Sequence, residues 1–370
     1  EETYPDLPSY IQQLNNENVK LLGYINCFLA IEGELYKEAS AKGFLVKKHD
    51  GSEYHVHITD FPAAIIDITN PDAREWTKEV IKRNMIGIGL SGWMADFGEY
   101  LPTDAVLHSG ESAETYHNQY AADWAKVNMD ALVETGTLGK VSFFSRAGYT
   151  GSSRYSTNIW AGDQLVNWSM NDGLATVIPA GLSLGFSGIG IYHSDIGGYT
   201  TVTWIKRSKE LFMRWAEHAA FSPVMRSHEG NRPDVNWQFN SDSDTLEHLA
   251  KMVKSHVLLK PYILHCQAEY IEKGLPLMRH PYIHYEDDEQ LHRLQYQYLF
   301  GRDMLVAPVY KKGKRKQKVY LPEDTWVHAW TGEEYKGGWH RVKAPIGEPP
   351  VFYRKGSEFA ETFAKLRGVV

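Results

Sequence analysis

The segment Gly92-Trp-Met-Ala-Asp96-Phe-Gly-Glu-Tyr100 places an acidic side chain at the end of a short apolar run. Residues 92–95 have the apolar character of a buried strand, and Asp96 is the first ionisable residue after them. A carboxylate at such a position is costly to bury unless it is paired or used chemically. The segment therefore predicts both a strand and a candidate site at its end.

Similar apolar runs lie on both sides of this segment and are separated by amphipathic stretches. Short runs without charge are typical of buried strands or strand ends. Strands that alternate with helices form a parallel sheet covered by the helices, so we predict an α/β fold. The predicted strands are residues 19–30, 63–69, 92–97, 141–146, 159–163, 188–195 and 223–228.

Two of the stretches between the strands carry clear helix signals. Asn70-Pro71-Asp72 provides an N-cap, a proline at the first helical position and an early acid, and apolar residues follow at helical spacing. The second predicted helix covers residues 114–134, where large apolar side chains recur every three or four residues before Gly136. These helices support the alternating α/β pattern.

Polar residues stand at the ends of several predicted strands. In a (β/α)8 TIM barrel the carboxyl ends of the strands meet at one mouth, so residues distant in sequence converge there. A doubly wound sheet would bring a G-x-G-x-x-G loop, and the nearest match, residues 185–190, has the wrong spacing. We therefore predict a TIM barrel over residues 1–300. The strand-end residues are Asp96, Arg146, Asp163, Asp195 and His228.

The pattern changes at about residue 301, where short runs with turn signals every ~8 to 12 residues begin, as in an all-β sandwich. We therefore predict a small C-terminal β-sandwich domain over residues 301–370. Only about six barrel strands can be counted before it, so we expect the first barrel strands to lie upstream of residue 1. The predicted strands of the β domain are residues 304–309, 318–321, 326–330, 341–344 and 351–354.

Composition excludes several classes of partner. The 370 residues carry a net charge of −7, which gives no electrostatic reason to bind a nucleic acid. No apolar run reaches the ~18 residues that a membrane helix needs. The two cysteines, Cys27 and Cys266, cannot form a disulfide framework and fit a reducing, cytoplasmic location. The sequence is compatible with a homo-oligomer.

A carboxylate pair is the first chemical interpretation of the strand ends. Asp163, in Trp160-Ala-Gly-Asp163, repeats the arrangement of Asp96 further along the chain. Two such acids are the basic equipment of glycoside hydrolysis. The high aromatic content, 13%, also favours sugar binding, because aromatic faces stack on sugar rings. The structural alternative is that these acids cap helices or pair with Arg146 and Arg226.

A metal site is the second interpretation. His55-Val-His57 would present two imidazoles on one face of a strand, and His193, Asp195 and His228 would complete the site. However, His55 and His57 lie in a segment that we expect to be a loop, and no H-E-x-x-H motif or thiolate cluster supports this interpretation. No G-x-S-x-G elbow suggests a serine nucleophile. We therefore expect no metal and no organic cofactor.

Six segments together resemble glycoside hydrolase family 31, and most closely its sulfoquinovosidase branch. The resemblance implies a retaining α-glycosidase in which Asp96 is the nucleophile and Asp163 the general acid/base. It further implies that Arg146, Asp195 and His228 bind the sugar hydroxyls and that Trp93 and Trp160 form pocket walls. The segments are residues 93–102, 144–148, 160–163, 193–199, 225–230 and 300–308.

The branch implies a sugar substrate of the α-sulfoquinovoside type, such as sulfoquinovosyl glycerol. Its sulfonate is a permanent anion and requires fixed donors. Tyr199 stands where neutral α-glucosidases of the family usually carry Phe, while the other sulfonate-binding residues of the branch precede residue 1. Two alternatives remain open, an α-glucosidase or α-xylosidase of the same family and a sugar-binding subunit without activity.

Overall fold

The computed structural model describes residues 4–58, 61–156 and 158–370. The chain divides into two compact units, Glu1–Ile159 and Trp160–Val370. Within the described ranges, no helix is long and apolar enough to cross a membrane.

The first unit alternates helices with short strands. β7 begins in this unit and ends at the first residue of the second. In chain order the elements are α1 (Leu7–Asn16), β1 (Leu22–Asn26), β2 (Phe28–Ala30), α2 (Glu34–Lys42), β3 (His55–Ile58), β4 (Phe61–Ile65), α3 (Pro71–Ile81), β5 (Gly92–Asp96), α4 (Ala113–Glu134), β6 (Ser142–Ser145) and β7 (Asn158–Trp160).

Parallel strands in the order β1, β5, β6, β7 form the centre of the first unit. Their register places Asn26 opposite Asp96, so the polar ends of β1 and β5 are adjacent. The predicted run at 63–69 instead contributes to β4, which pairs antiparallel with β2 and β3 in a separate sheet. The segment expected to be a loop around His55 and His57 is therefore strand β3, because β4 supplies its pairing partner.

The helix signals of the sequence are confirmed. The Asn70 side chain accepts a hydrogen bond of 2.9 Å from the backbone N–H of Asp72 and caps α3, which starts at Pro71. Trp76 and Ile81 on the inner face of this helix are buried in the hydrophobic core of the first unit. α4 begins one residue before the predicted helix and ends at the predicted residue.

The second unit begins with short strands and helices and ends in an antiparallel sheet. Its elements are α5 (Val177–Phe186), β8 (Ile191–His193), β9 (Asp195–Ile196), α6 (Lys209–Ala220), β10 (Arg226–Ser227), α7 (Ser243–Leu258), α8 (Lys260–Lys273), β11 (Met278–Arg279), β12 (Tyr298–Phe300), β13 (Met304–Val306), β14 (Lys316–His328), β15 (Glu334–Lys343), β16 (Val351–Arg354) and α9 (Ala360–Ala364).

The C-terminal sheet has the strand order β11, β12, β13, β16, β14, β15 and is antiparallel throughout. It extends upstream of the boundary expected at residue 301, because Met278 pairs with Phe300. The segment Pro322-Glu-Asp324, which separates the predicted strands 318–321 and 326–330, lies inside β14. A register shift between Leu321 and Thr325 accommodates it, since a bulge tolerates a proline that cannot donate to the ladder.

Candidate active site

Asp96 lies at the carboxyl end of β5 and is 5% exposed. Tyr24 from the neighbouring strand donates its hydroxyl to Asp96 Oδ2 at 2.7 Å. The backbone N–H of Phe97 donates to Oδ1 at 2.9 Å. These two donors, one on each carboxylate oxygen, therefore fix the orientation of the Asp96 side chain at the end of β5.

Arg146 follows β6 and brings a positive charge to the same strand end. Its Nε lies 3.3 Å from Asp96 Oδ1 and donates to Glu99 Oε1 at 2.9 Å. The guanidinium carbon lies 3.9 Å from the centre of the Phe97 ring. We call Tyr24, Asp96, Phe97, Glu99 and Arg146 the Asp96 cluster. It contains two carboxylates that share one arginine.

The backbone after Asp96 is strained. Phe97 has a φ of 62°, a left-handed conformation that side-chain-bearing residues rarely adopt, and Gly98 has a φ of 115°. A side chain at position 98 would meet the backbone of Ala121 on α4 at 3.1 Å. The close contact with α4 and the positive φ together favour glycine here, and the sharp turn places the Phe97 ring against the Arg146 guanidinium. Strain of this kind is concentrated at functional sites.

Trp93 lies in the core rather than in an open pocket. Its side chain is 0% exposed, its indole N–H donates to Asn128 of α4 at 2.8 Å, and its ring stacks on Phe143. In a strand, residues three apart point to opposite faces, so Trp93 faces α4 while Asp96 faces away. We exclude Trp93 from the proposed sugar-binding residues for this reason.

A second group of side chains surrounds Asp195, which begins β9 and is 0% exposed. Arg226, its parallel partner in β10, forms an ion pair with it. The indole N–H of Trp160, at the end of β7, donates to Asp195 Oδ2 at 3.1 Å. The Arg226 guanidinium carbon also lies 5.2 Å from the centre of the Trp160 ring. We call Trp160, Asp195 and Arg226 the Asp195 cluster.

Burial dominates the electrostatics of the Asp195 cluster. It raises the pKa of the Asp195 carboxyl to about 6, although Arg226 and the Trp160 N–H act in the opposite direction. Burial lowers the pKa of His193 to about 3, and the positive charge of Arg226 adds to this effect. His193 is therefore neutral at physiological pH, and Asp195 is ionised above pH ~6.

Asp163 is exposed and lies in the loop after β7. Hydrogen bonds to backbone carbonyls fix this loop. The Thr200 hydroxyl donates to the carbonyl of Asp163 at 2.9 Å. The backbone N–H groups of Tyr199 and Thr200 both donate to the carbonyl of Gln164 at 2.9 Å. The segment that carries Asp163 is thus attached to the segment that carries Tyr199.

Tyr199 and His228 contact each other. Their rings lie edge to face with centres 4.9 Å apart. His228 Nδ1 accepts a hydrogen bond of 3.0 Å from the backbone N–H of Gly230. Because that nitrogen is an acceptor, the proton of the neutral ring lies on Nε2, which makes Nε2 a donor. Burial lowers the pKa of His228 and favours this neutral form.

The structure thus groups most of the predicted residues within each unit. Asp96 lies with Arg146 in the first unit, and Trp160 with Asp195 and Tyr199 with His228 in the second. The sequence indicated Arg226 only as a salt-bridge partner and gave no signal for Tyr24 or Glu99, because their roles depend on pairing between neighbouring strands.

The metal interpretation gains no support from the residues that the structure describes. His55 Nε2 lies 3.2 Å from the Tyr36 hydroxyl and 3.4 Å from a Glu53 carboxylate oxygen. Across residues 4–58, 61–156 and 158–370, no three histidine, cysteine or acidic side chains are grouped so that they would hold an ion.

The fold and the site define an α/β protein in which buried acids paired with arginines lie on parallel strands. The chain matches models of one family over most of its length. Residues 1–266 match the TIM-barrel domain of glycosyl hydrolases family 31, and residues 274–357 match the C-terminal domain of that family. The chain therefore belongs to glycosyl hydrolase family 31. The predicted barrel followed by a C-terminal β domain is confirmed.

Several known proteins are similar to this chain. A sulfoquinovosidase of Escherichia coli (strain K12) is 55% identical, over 100% of this chain and 54% of that protein. A sulfoquinovosidase of Agrobacterium fabrum (strain C58) is 44% identical, over 99% of this chain and 56% of that protein. A family 31 sulfoquinovosidase from E. rectale, solved with the aza-sugar inhibitor IFGSQ, superposes with a TM-score of 0.96 and 51% identity, over 98% of this chain and 55% of that chain. The chain spans about half the length of these relatives.

Proposed function

We propose that the protein is a retaining α-glycosidase that hydrolyses α-sulfoquinovosides. The observation that carries this proposal is the Asp96 cluster, in which a buried strand-end carboxylate is oriented by Tyr24 and paired with Arg146. The similarity to two sulfoquinovosidases over the whole chain supports the choice of substrate.

The proposed reaction has two displacements. Asp96 attacks the anomeric carbon while Asp163 gives its proton to the departing aglycone oxygen, which breaks the glycosidic bond and forms a glycosyl ester on Asp96. Asp163, now a carboxylate, takes a proton from water. The resulting hydroxide equivalent attacks the same carbon and releases Asp96, so the configuration at that carbon is retained.

The environments of the two acids suit these different roles. Asp96 is buried among fixed donors, which orients one oxygen for attack. Asp163 is exposed, and this leaves its side chain accessible to the aglycone oxygen and then to water. A general acid/base must reach first the aglycone oxygen and then the attacking water, whereas a nucleophile must be held in one orientation towards the anomeric carbon.

We assign sugar binding to Arg146, Trp160, Asp195 and His228. Asp195 is an acceptor, since its ion pair with Arg226 stabilises the carboxylate, and His228 Nε2 is a donor. Acceptors and donors in fixed positions are what the hydroxyls of a sugar ring require. Trp160 provides an aromatic face held by its hydrogen bond to Asp195.

The sulfonate distinguishes the proposed substrate from glucose, because it places a permanent anion at C6. We assign the Tyr199 hydroxyl as one donor to it. No cofactor is required for this mechanism. We also propose a cytoplasmic location, which is consistent with the two buried free thiols, Cys27 and Cys266.

Steady-state kinetics on the intact protein tests the proposal. We expect kcat/KM for an aryl α-sulfoquinovoside to exceed that for the matched aryl α-glucoside and α-xyloside by at least about a hundredfold, because neutral sugars leave the anion-binding donors unpaired. NMR of the first-formed product should show the α-anomer. Asp96→Ala serves as the inactive control. A preference for a neutral glycoside would contradict the substrate, and a first-formed β-anomer would contradict the retaining mechanism.

A further inference from the structure

Arg207 is a buried arginine two residues before α6, and the residue is 2% exposed. Its guanidinium donates to five backbone carbonyls and one side-chain amide at 2.8–3.3 Å. The acceptors are the backbone oxygens of Ile196, Gly198, His228, Glu229 and Trp237 and Oε1 of Gln238.

These acceptors belong to the segments that carry two candidate site residues. Residues 196–198 directly precede Tyr199, and residues 228–229 include His228 itself. The same side chain also fixes residues 237–238, which follow the second segment. One guanidinium therefore joins the turn of Tyr199 to the strand end of His228, whose rings are in contact.

Neighbouring residues support this connection. Gly197 has a φ of 91°, and a Cβ there would lie 2.3 Å from Arg207 Cδ, so glycine is required for the close approach. Asn236 Oδ1 accepts from the backbone N–H of Arg207 at 3.1 Å and from the Thr201 hydroxyl at 2.9 Å. Burial lowers the pKa of Arg207 to about 10, which leaves the group charged at neutral pH.

The planar fork of arginine is specific to this task. Its five N–H groups point in fixed directions, whereas a lysine ammonium has three donors at a single point. Lysine at position 207 would preserve the charge but leave several of the buried carbonyls without a partner. The two segments would then lose their fixed separation.

We propose that Arg207 is a positioning residue that holds Tyr199 and His228 in register and so determines the preference of the site for the sulfonated sugar. The proposal rests on the proposed function, since it assumes that Tyr199 contacts the sulfonate. It predicts that loss of the guanidinium affects substrate preference as well as stability.

Arg214 provides a matched control for a purely structural role. Its side chain is 1% exposed and donates to the backbone carbonyls of Lys314, Ala344 and Pro345 at 2.7–3.2 Å. It also pairs with Glu217. Arg214 thus resembles Arg207 in burial and in the type of acceptor, but it holds segments next to strands β14 and β15.

The experiment compares Arg207→Lys, Arg214→Lys and the milder variant Gln238→Ala in the intact protein. The kcat and KM values are measured on sulfonated and neutral aryl α-glycosides, at a temperature well below the Tm of each variant. For Arg207→Lys we expect kcat/KM on the sulfonated substrate to fall on the order of tenfold or more, mainly through KM, and the neutral substrate to lose less. Gln238→Ala should change the ratio in the same direction by a few-fold.

Arg214→Lys should lower the Tm but leave the ratio of the two kcat/KM values within about twofold of the wild type. An unchanged ratio in Arg207→Lys would overturn the proposal. If Arg207→Lys does not fold, an unchanged ratio in Gln238→Ala overturns it. If Arg214→Lys does not fold, Arg279→Lys, another buried arginine, replaces it as the control.

Failure of the proposed function has a different signature. A wild-type protein that hydrolyses only neutral glycosides would contradict the assigned substrate. In that case we expect Arg207→Lys to lower kcat/KM on the neutral substrate more than Arg214→Lys does, because the substitution at position 207 displaces His228. Equal losses in the two variants would overturn the positioning role.

Discussion

The two buried acids, Asp96 at the end of β5 and Asp195 at the start of β9, differ in their surroundings. Asp96 accepts from a tyrosine hydroxyl and a backbone N–H beside Arg146, whereas Asp195 forms an ion pair with Arg226 and has its pKa raised to about 6 by burial. An oriented carboxylate suits nucleophilic attack, and a carboxylate paired with an arginine suits the binding of sugar hydroxyls. Residue type alone does not distinguish these roles.

The roles of the two catalytic acids predict different failures. Asp96→Ala should abolish turnover of every substrate, because no residue replaces the nucleophile. Asp163→Ala should still release an activated aryl group, accumulate glycosyl-enzyme and be accelerated by azide, which needs no base. Measurement of product formation with and without azide checks both variants. If azide rescued only the Asp96 variant, giving an inverted glycosyl azide, the assignments would have to be exchanged.

Substrate preference at Tyr199 gives a second prediction. Tyr199→Phe keeps the ring beside His228 but removes one donor to the sulfonate. A hydrogen bond to a charged group contributes roughly 1.5 to 3 kcal/mol, so kcat/KM on the sulfonated substrate should fall about tenfold to a hundredfold. The neutral glucoside should change little, and Tyr282→Phe, at an exposed ring, is the control. Equal losses on both substrates would point to a positioning role instead.

A site residue could be predicted from the sequence where the end of its strand could be located. Apolar runs followed by a polar residue located Asp96 and Asp195, because a buried strand leaves few positions for a charge. The orientation of Trp93 was not predictable from an all-apolar run, since both faces of the strand carry similar residues. The part played by Arg226 was missed because it depends on the register between β9 and β10.

At the scale of single elements, α3 depends on its N-cap. Asn70→Ala removes the acceptor for the Asp72 N–H and should lower the free energy of unfolding by about 1 kcal/mol. Ser112 precedes α4 but makes no side-chain capping hydrogen bond, so Ser112→Ala is the matched control. This variant should change the free energy of unfolding by less than about 0.5 kcal/mol. Urea unfolding measures both. Similar losses in the two variants would contradict the capping account.

The elements that sequence analysis misplaced depend on long-range pairing. β14 continues through Pro322 because β15 pairs with it on both sides of the bulge and β16 pairs with it after the bulge. β3 forms because β4 pairs with it. Turn residues and mixed polar segments give no sign of such partners, whereas α3 and α4 carry their signals within their own sequence.

At the scale of the whole molecule, buried neutral histidines make stability depend on pH. Burial lowers the pKa of His218 to about 4 from the ordinary 6.5, so the unfolded chain binds the proton first as the pH falls. The contribution of His218 is complete above pH 6.5 and is lost between pH 6.5 and about 4. It should amount to about 2 kcal/mol between pH 7 and pH 5.

Urea unfolding of His218→Gln at both pH values tests this dependence. The fall in unfolding free energy from pH 7 to pH 5 should be smaller than in the wild type by about 2 kcal/mol, whatever the absolute stability of the variant. His49→Gln, at an exposed ring, is the control. An equal pH dependence in His218→Gln and the wild type would contradict the linkage.

The most direct test of the account is to trap the glycosyl-enzyme. Asp163→Ala is incubated with an activated aryl α-sulfoquinovoside, denatured and digested, and the peptides are analysed by mass spectrometry. We expect the mass of one sulfoquinovosyl group on the peptide that contains Asp96, since deglycosylation lacks its base. A label on any other residue, or accumulation of label only from the matched neutral glucoside, would contradict the account.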